Sequence, residues 1–269
     1  MKNLNVGFKS LLVVTSMMVL IGCGGGSIDS DIPSANEMTE LTKSNSESKA
    51  IDIFASSSNI QYFIDGVLLN KIVEKGAVTC SNGNGKLTKN GNVYNLEFNK
   101  CTYDKNLILD GEANVKKDSK SSEISFDNFT ILDNNYEIYF ERGKEYLSDY
   151  DGDSYKSISL IKLKGYVKSN SKKTSFLNLN MHHDNNADTF DMNSYTKNSC
   201  IGGWAKIDSM HLSLSSDDGK AQFSSLGNVI KLTLSSSNVI LTRTDGTTKD
   251  LGNRTSFDNR VNNNACIIK

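Results

Sequence analysis

The residue types best suited to chemistry lie in one short stretch, His182-His183-Asp184, which is followed by two further acidic residues, Asp188 and Asp191. On a strand, His182 and Asp184 share a face because side chains alternate with a period of two. Imidazoles together with carboxylates are ligands for zinc or another divalent ion. A polar strand end that runs into a turn explains the same residues, since the stretch lacks the spacing code of a metal motif. No cofactor is therefore assigned, and His182, Asp184, Asp188 and Asp191 remain candidate ligands only.

A second acidic stretch, Asp149-Tyr150-Asp151-Gly152-Asp153, resembles the start of a calcium-binding loop. An EF-hand loop needs Gly at its sixth position and Glu at its twelfth, where this chain has Ser154 and Leu160. An acidic hairpin turn accounts for the stretch, because Asp-Gly is a common turn dipeptide, and a weak Ca²⁺ site in an oxygen-rich loop is the alternative.

Motifs of nucleophilic catalysis are absent from the sequence, which contains no Gly-x-Ser-x-Gly, His-Glu-x-x-His or Walker A string. A nucleophile made from Cys200 and a histidine would need a free thiol. Trp204, the only tryptophan, follows two glycines and is predicted to pack in the core beside a disulfide, with a binding-surface aromatic as the alternative. We assign no catalytic residue, and the chain is predicted not to be an enzyme, although paired carboxylates stay open as an alternative.

Four cysteines lie beyond residue 23: Cys80, Cys101, Cys200 and Cys266. In an oxidising compartment an even number of cysteines predicts two disulfides, for which three pairings exist. The Asn90-Gly91 dipeptide predicts a type I′ hairpin whose flanking pair is Lys89 and Asn92. The same register, extended outward, places Cys80 opposite Cys101 at a non-hydrogen-bonded pair with Cα atoms about 4.5 Å apart. We therefore predict the pairs Cys80–Cys101 and Cys200–Cys266.

The elements that must position these residues are mainly strands, since apolar residues alternate with polar ones from about residue 94 onward. One apolar and one polar face are typical of a half-buried antiparallel sheet. We predict a mainly β fold: a large antiparallel meander, as a sandwich or half-barrel, with one short N-terminal helix near 58–75. Phase shifts predict bulges near Asp127-Asn128 and Leu160-Ile161. The alternation includes Tyr94-Leu96-Phe98, Ile138-Phe140, Leu177-Leu179-Met181, Met210-Leu212-Leu214 and Ile230-Leu232-Leu234.

The N-terminal pattern predicts an export signal, with basic Lys2 and Lys9 before an apolar run of twelve residues that is too short to span a membrane. The run ends in Leu20-Ile21-Gly22-Cys23, which resembles the lipobox of bacterial lipoproteins. The resemblance implies that residues 1–22 are removed and that Cys23 receives a diacylglycerol and an N-acyl chain. Gly24, rather than Asp, implies sorting to the outer membrane. An ordinary secretory signal with an incidental cysteine is the alternative.

Between this signal and the predicted domain 58–269, residues 23–57 are rich in Gly, Ser, Asn and Glu and contain the only proline. Their sparse apolar residues predict a disordered tether that spans roughly 30 Å and at most about 110 Å. Removal of the signal, with its two lysines, changes the formal charge from −1 to −3. No basic cluster predicts binding to nucleic acid.

The stretch from Cys80 to Val115 is similar to a pattern in exported lipoproteins of Gram-negative bacteria that have no established activity: a cysteine, a Gly/Asn-rich turn, a strand and a second cysteine. Together these features predict a membrane-anchored envelope lipoprotein of a Gram-negative bacterium, at the outer rather than the inner membrane. Its predicted role is non-catalytic binding of a protein, glycan or lipid, or a structural one. A lipidated hydrolase using carboxylates or a metal and a periplasmic lipid carrier are the alternatives.

Overall fold

A computed structural model of the chain describes residues 32–63, 66–133, 135–149 and 155–268. Within these ranges the α helices are α1 (Ser46–Ser58), α2 (Gly66–Lys75) and α3 (Arg254–Asn262). The strands are β1 (Asn84–Asn90), β2 (Val93–Asp104), β3 (Leu107–Lys117), β4 (Ser121–Leu132), β5 (Glu137–Ser148), β6 (Ser157–Ser169), β7 (Lys172–Asp184), β8 (Thr189–Lys197), β9 (Trp204–Ser213), β10 (Gly219–Ser225), β11 (Asn228–Leu234), β12 (Val239–Thr242) and β13 (Thr248–Asp250).

The thirteen strands form one antiparallel sheet in which each strand pairs with the next along the chain, from β1 to β13. The predicted mainly β meander is therefore confirmed, as a single open sheet accompanied by short helices. None of the helices in the described ranges has the length and apolarity that crossing a bilayer requires.

The core lies on one face of the sheet, where the alternating apolar residues meet the helical segments. The ring of Phe63, in a 3-10 turn between α1 and α2, packs edge-on against Phe140 of β5 and Phe176 of β7, with centroids 5.3 and 5.5 Å apart. Phe54 of α1 packs in the same way on Phe257 of α3 at 5.2 Å. Edge-to-face contacts of this kind add to the free energy of apolar burial.

A row of β-bulges crosses the sheet from β2 to β9 and includes both bulges that the phase shifts predict. In β2 the bulged residue Lys100 has φ +46°, and its amide donates to Asp110 Oδ1 of β3 at 3.0 Å. In β6 the bulged residue Lys162 has φ +49°, and its amide donates to Asn180 Oδ1 of β7 at 3.0 Å. Because a bulge bends its strand and increases the twist, the row curves the sheet over the helices.

Gly111 of β3 shows why the bulge row needs a residue without a side chain. Its φ is +100°, and a Cβ at this position would stand 2.0 Å from the carbonyl oxygen of Asn128, the bulged residue of β4. Any larger residue would therefore push the two strands apart.

Both predicted disulfides are present. The Cα atoms lie 5.2 Å apart in Cys80–Cys101 and 6.1 Å apart in Cys200–Cys266. These separations fall within the range that a disulfide bond requires.

The hairpin register used to predict the first pair is wrong by one residue on each strand. Asn90 pairs with Val93, so Gly91 and Asn92 form the turn. Gly91 has φ +61° whereas Asn92 is not in the left-handed region, which fits a type II′ turn with Gly first. Cys80 also lies outside the β1 ladder. It meets Cys101 because the amide of Ser81 donates to the carbonyl of Thr102 at 2.8 Å.

The prediction that residues 23–57 form a disordered tether, with the domain starting at 58, is wrong for the part that the structure describes. The amide of Thr39 donates to the carbonyl of Trp204 at 2.8 Å, Leu41 is buried, and α1 occupies Ser46–Ser58. The reason is that α1 is buried on more than one side: Ile51 and Ala55 are buried in addition to one apolar helical face, and α3 covers Phe54. That face includes Ala50, Ile53 and Phe54.

The helix predicted near 58–75 is divided in the structure. Ile60 and Phe63 are buried in the 3-10 turn Asn59–Phe63, and α2 then carries buried Ile72 to its end at Lys75. Gly76 follows with φ +70°, the expected conformation for a residue after a helix.

Candidate functional site

The candidate metal ligands His182 and Asp191 face each other on neighbouring strands β7 and β8, on the solvent side of the sheet. His182 Nδ1 lies 2.8 Å from Ser159 Oγ of β6. Asp191 Oδ1 lies 2.7 Å from His211 Nδ1 of β9. Sequence reasoning missed His211, although its place between the inward-facing Met210 and Leu212 was a signal that it shares the polar face.

The other two candidates, Asp184 and Asp188, belong to the β7–β8 turn. The carboxylate of Asp184 accepts the amides of Asn186 at 2.8 Å and Ala187 at 3.0 Å. These backbone bonds hold the pKa of Asp184 below its usual value. Asp188 has φ +52° in the same turn. Throughout the ranges that the structure covers, no group of three or more His, Cys, Asp or Glu side chains is arranged to hold a metal ion.

Two further sequence predictions fall largely outside the described residues. Cys23, the predicted lipidation site, lies there with the whole signal 1–22. The calcium-like stretch is described only at Asp149, while residues 150–154 lie outside.

The structure instead presents an apolar cleft where the helices meet the ends of β7, β8 and β9. Its volume is about 480 Å³. Side chains of α1 and the following turn form one wall, α3 forms the second, and the sheet forms the floor. The apolar lining comprises Phe54, Ile60, Met181, Phe190, Leu212, Leu214 and Val261.

The floor follows from the strand register. His183 of β7 pairs with Phe190 of β8, which pairs in turn with Leu212 of β9. This row faces the helices, whereas His182 and Asp191 face solvent. His183 therefore enters the cleft, while the neighbouring histidine, which sequence reasoning favoured, does not.

The rim of the cleft is charged. Arg254 Nε donates to both carboxylate oxygens of Asp258 at 2.8 and 3.0 Å, one turn apart on α3. Arg254 Nη1 donates to the carbonyl of Asp217 at 2.8 Å, which joins α3 to the loop before β10. Together with His183, this ion pair places polar groups beside an apolar floor. An amphipathic ligand with an apolar chain and a polar end matches this arrangement.

No sequence motif could have located the cleft, because its walls come from residues 54–60, 181–214 and 254–262. The available signal in the sequence was Leu214, an apolar residue that continues the alternation of β9 beyond the end of the strand. In the structure its side chain is 47% exposed.

Comparisons of this chain with models of protein families, with curated proteins and with solved structures found no match. The geometry of the cleft is therefore the main basis for a functional assignment.

Proposed function

We propose that the protein is an exported, lipid-anchored, non-catalytic binding protein of the cell envelope, and that its cleft holds the acyl chain of a lipid. The observation that carries this proposal is the apolar cleft between α1, α3 and the sheet. It joins two of the roles that the sequence leaves open, envelope binding protein and lipid carrier.

The dimensions and chemistry of the cleft support a small apolar ligand. Its volume of about 480 Å³ falls within the range of roughly 300–1,000 Å³ that is usual for ligand sites. The aromatic rings of Phe54 and Phe190 and the branched side chains of Leu212 and Val261 offer an acyl chain continuous apolar contact. Each methylene that leaves water for such a surface contributes about 0.8 kcal/mol.

Two disulfides support export, since such bonds form and persist in oxidising compartments. The Leu20-Ile21-Gly22-Cys23 string supports anchoring, because two or more acyl chains hold a protein stably on a bilayer. The outer membrane of a Gram-negative bacterium is the proposed location.

The test uses a fluorescent fatty acid, cis-parinaric acid, and the full chain purified in detergent and then delipidated. Leu214→Arg places a charge in the cleft at a partly exposed position, so the fold should tolerate it. We expect the dissociation constant for the probe to rise at least tenfold. Leu132→Arg, at a leucine that is 40% exposed at the end of β4 and outside the cleft, is the matched control and should bind like the wild type.

Failure of the wild type to bind the probe, or equal binding by Leu214→Arg, would contradict an acyl-chain site. Turnover of an ester or glycan by the purified protein would instead favour the hydrolase alternative. The residues for such chemistry would be the solvent-facing row of Ser159, His182, Asp191 and His211.

A further inference from the structure

The tip of the β10–β11 hairpin holds a residue that its backbone does not favour. Ser225 pairs with Asn228, so Leu226 and Gly227 form a two-residue turn with φ +50° and +81°. Positive φ at both central positions is the type I′ pattern, in which Asn or Asp is the preferred first residue. Leu226 nevertheless occupies the first position, and it is 50% exposed. A leucine at this strained and exposed position does not favour folding of the hairpin. A contact with another molecule explains it more readily.

An aromatic and a basic side chain lie at the same end of the sheet as this tip. Ser224 pairs with Lys206 in the last pair of the β9–β10 ladder, and beyond it Met38 bridges Trp204, the only tryptophan of the chain. Trp204 is half-buried rather than part of the core, and Lys197 of β8 lies over its ring with Nζ 5.8 Å from the centroid. Tryptophan, lysine and an exposed leucine together are typical of groups that sit at the level of lipid head groups.

The N-terminal segment reaches the same end of the sheet. Met38 forms a parallel bridge with Trp204, and the hydroxyl of Ser225 donates to the carbonyl of Thr39. The first residue that the structure describes, Ile32, is exposed. Nine residues of sequence lead from Cys23 to Ile32, and they can span at most about 32 Å.

We propose that this end of the sheet, the Trp204 patch of Met38, Lys197, Trp204 and Leu226, docks on the phospholipid bilayer to which Cys23 is anchored. The proposal rests on the lipid anchor of the proposed function. Acylation alone would hold the domain only through the polypeptide segment that follows Cys23. A docked patch would also fix the orientation of the domain, so that one face always lies toward the membrane.

The charges around the patch specify the kind of bilayer. Two bonds from Ser34 hold the pKa of Glu37 below its usual value, and the cation of Lys197 lowers it further. Lys206 pairs with Asp208 at 2.9 Å. Because cations and anions balance, docking depends on the apolar side chains and needs no anionic lipid.

The experiment reconstitutes the acylated full chain into phosphatidylcholine vesicles whose acyl chains carry bromine close to the head group. Bromine quenches tryptophan at short range, and Trp204 is the sole reporter. We expect brominated vesicles to quench the wild type strongly and Leu226→Asn at most half as much. Asn suits the type I′ turn, so this variant should melt at the same or a higher temperature, which separates lost docking from lost folding.

Ile161→Asn is the matched control and should leave the quenching of Trp204 unchanged. Ile161 is 44% exposed on the solvent face of β6, away from the patch. Flotation of the vesicles is measured on the same samples. Protein that floats without quenching, or Leu226→Asn that is quenched like the wild type, would overturn the docking alone. Protein that does not float would overturn the anchor and the docking together, whereas acyl-chain binding in the cleft is judged by its own assay.

Discussion

At the scale of single residues, one carboxylate connects three elements. Glu47 in the first turn of α1 accepts Arg260 Nη2 of α3 at 2.6 Å and also binds Lys249 of β13. The bond from Lys249, followed by that from Arg260, holds the pKa of Glu47 below its usual value. Its position near the helix N-terminus adds a favourable interaction with the helix dipole.

This arrangement predicts a pH-dependent loss of stability in Glu47→Gln. The folded state favours the ionised carboxylate, so its contribution is present above the unfolded pKa of about 4.3 and is lost as the pH falls through the lower folded value. We expect the variant to be less stable by roughly 1 kcal/mol at pH 7 and equal to the wild type near pH 2. Urea denaturation at both pH values measures the difference, and a constant difference would show that Glu47 does not act through its charge.

Gly111 and Gly91 allow a comparison between two glycines with positive φ. Alanine at Gly91 meets no atom within 4 Å, whereas alanine at Gly111 would clash with the carbonyl of Asn128. We expect Gly91→Ala to cost about 1 kcal/mol and Gly111→Ala more than about 3 kcal/mol. Thermal or urea unfolding of both variants measures the loss of folding stability. Equal losses would mean that β3 and β4 can separate at the bulge row without a further cost in stability.

At the scale of elements, α3 and the C-terminal segment depend on attachments from elsewhere in the chain. Nine residues are too few for a helix to be stable alone, although Asn253 caps α3 through the amide of Ser256 at 2.9 Å. Beyond the helix, Asn59 Oδ1 accepts the amide of Ile268 at 3.0 Å, and Asn59 Nδ2 donates to Thr174 Oγ1 of β7 at 2.8 Å. The Cys200–Cys266 disulfide closes the same seam.

Removal of the two disulfides should therefore have unequal effects. Loop-closure entropy gives roughly 4.4 kcal/mol for the 66-residue separation of Cys200–Cys266 and roughly 3.4 kcal/mol for the 21-residue separation of Cys80–Cys101, as upper values. We expect the double serine variant at 200 and 266 to unfold at lower urea and to lose binding of the fluorescent fatty acid, because α3 forms a wall of the cleft. The double serine variant at 80 and 101 should keep binding where it remains folded. If both variants fold and both lose binding of the fatty acid, the loss cannot be attributed to detachment of α3.

At the scale of the whole molecule, the folded domain begins well before residue 58. Between Cys23 and Lys43 the sequence contains no lysine or arginine, so trypsin reports directly on this boundary. A disordered tether would be cut after Lys43 and Lys49. In the structure Lys49 Nζ donates to the carbonyls of Cys200 and Ile201 at 2.9 and 2.6 Å, which protects that site.

Limited trypsin digestion of the native protein should therefore leave the bond after Lys49 intact while the domain stays folded. Mass spectrometry of the product identifies the first residue. A product starting at Ala50 would show that α1 detaches readily from the sheet. Digestion in urea is the control, since both bonds should be cut once the chain unfolds.

The antiparallel meander, two bulge positions and both disulfide pairs are predictable from the sequence alone, although the hairpin register that led to Cys80–Cys101 is wrong. Strand alternation and turn residues are local, so they can be read without knowledge of distant contacts. The folding of α1 depends on tertiary contacts, because Phe54 gains burial by meeting Phe257 more than 200 positions later. The same is true of the cleft and of the Trp204 patch, which combine segments far apart in the chain. Which segments meet depends on how the curved sheet packs against its helices, and no local pattern of residues records that packing.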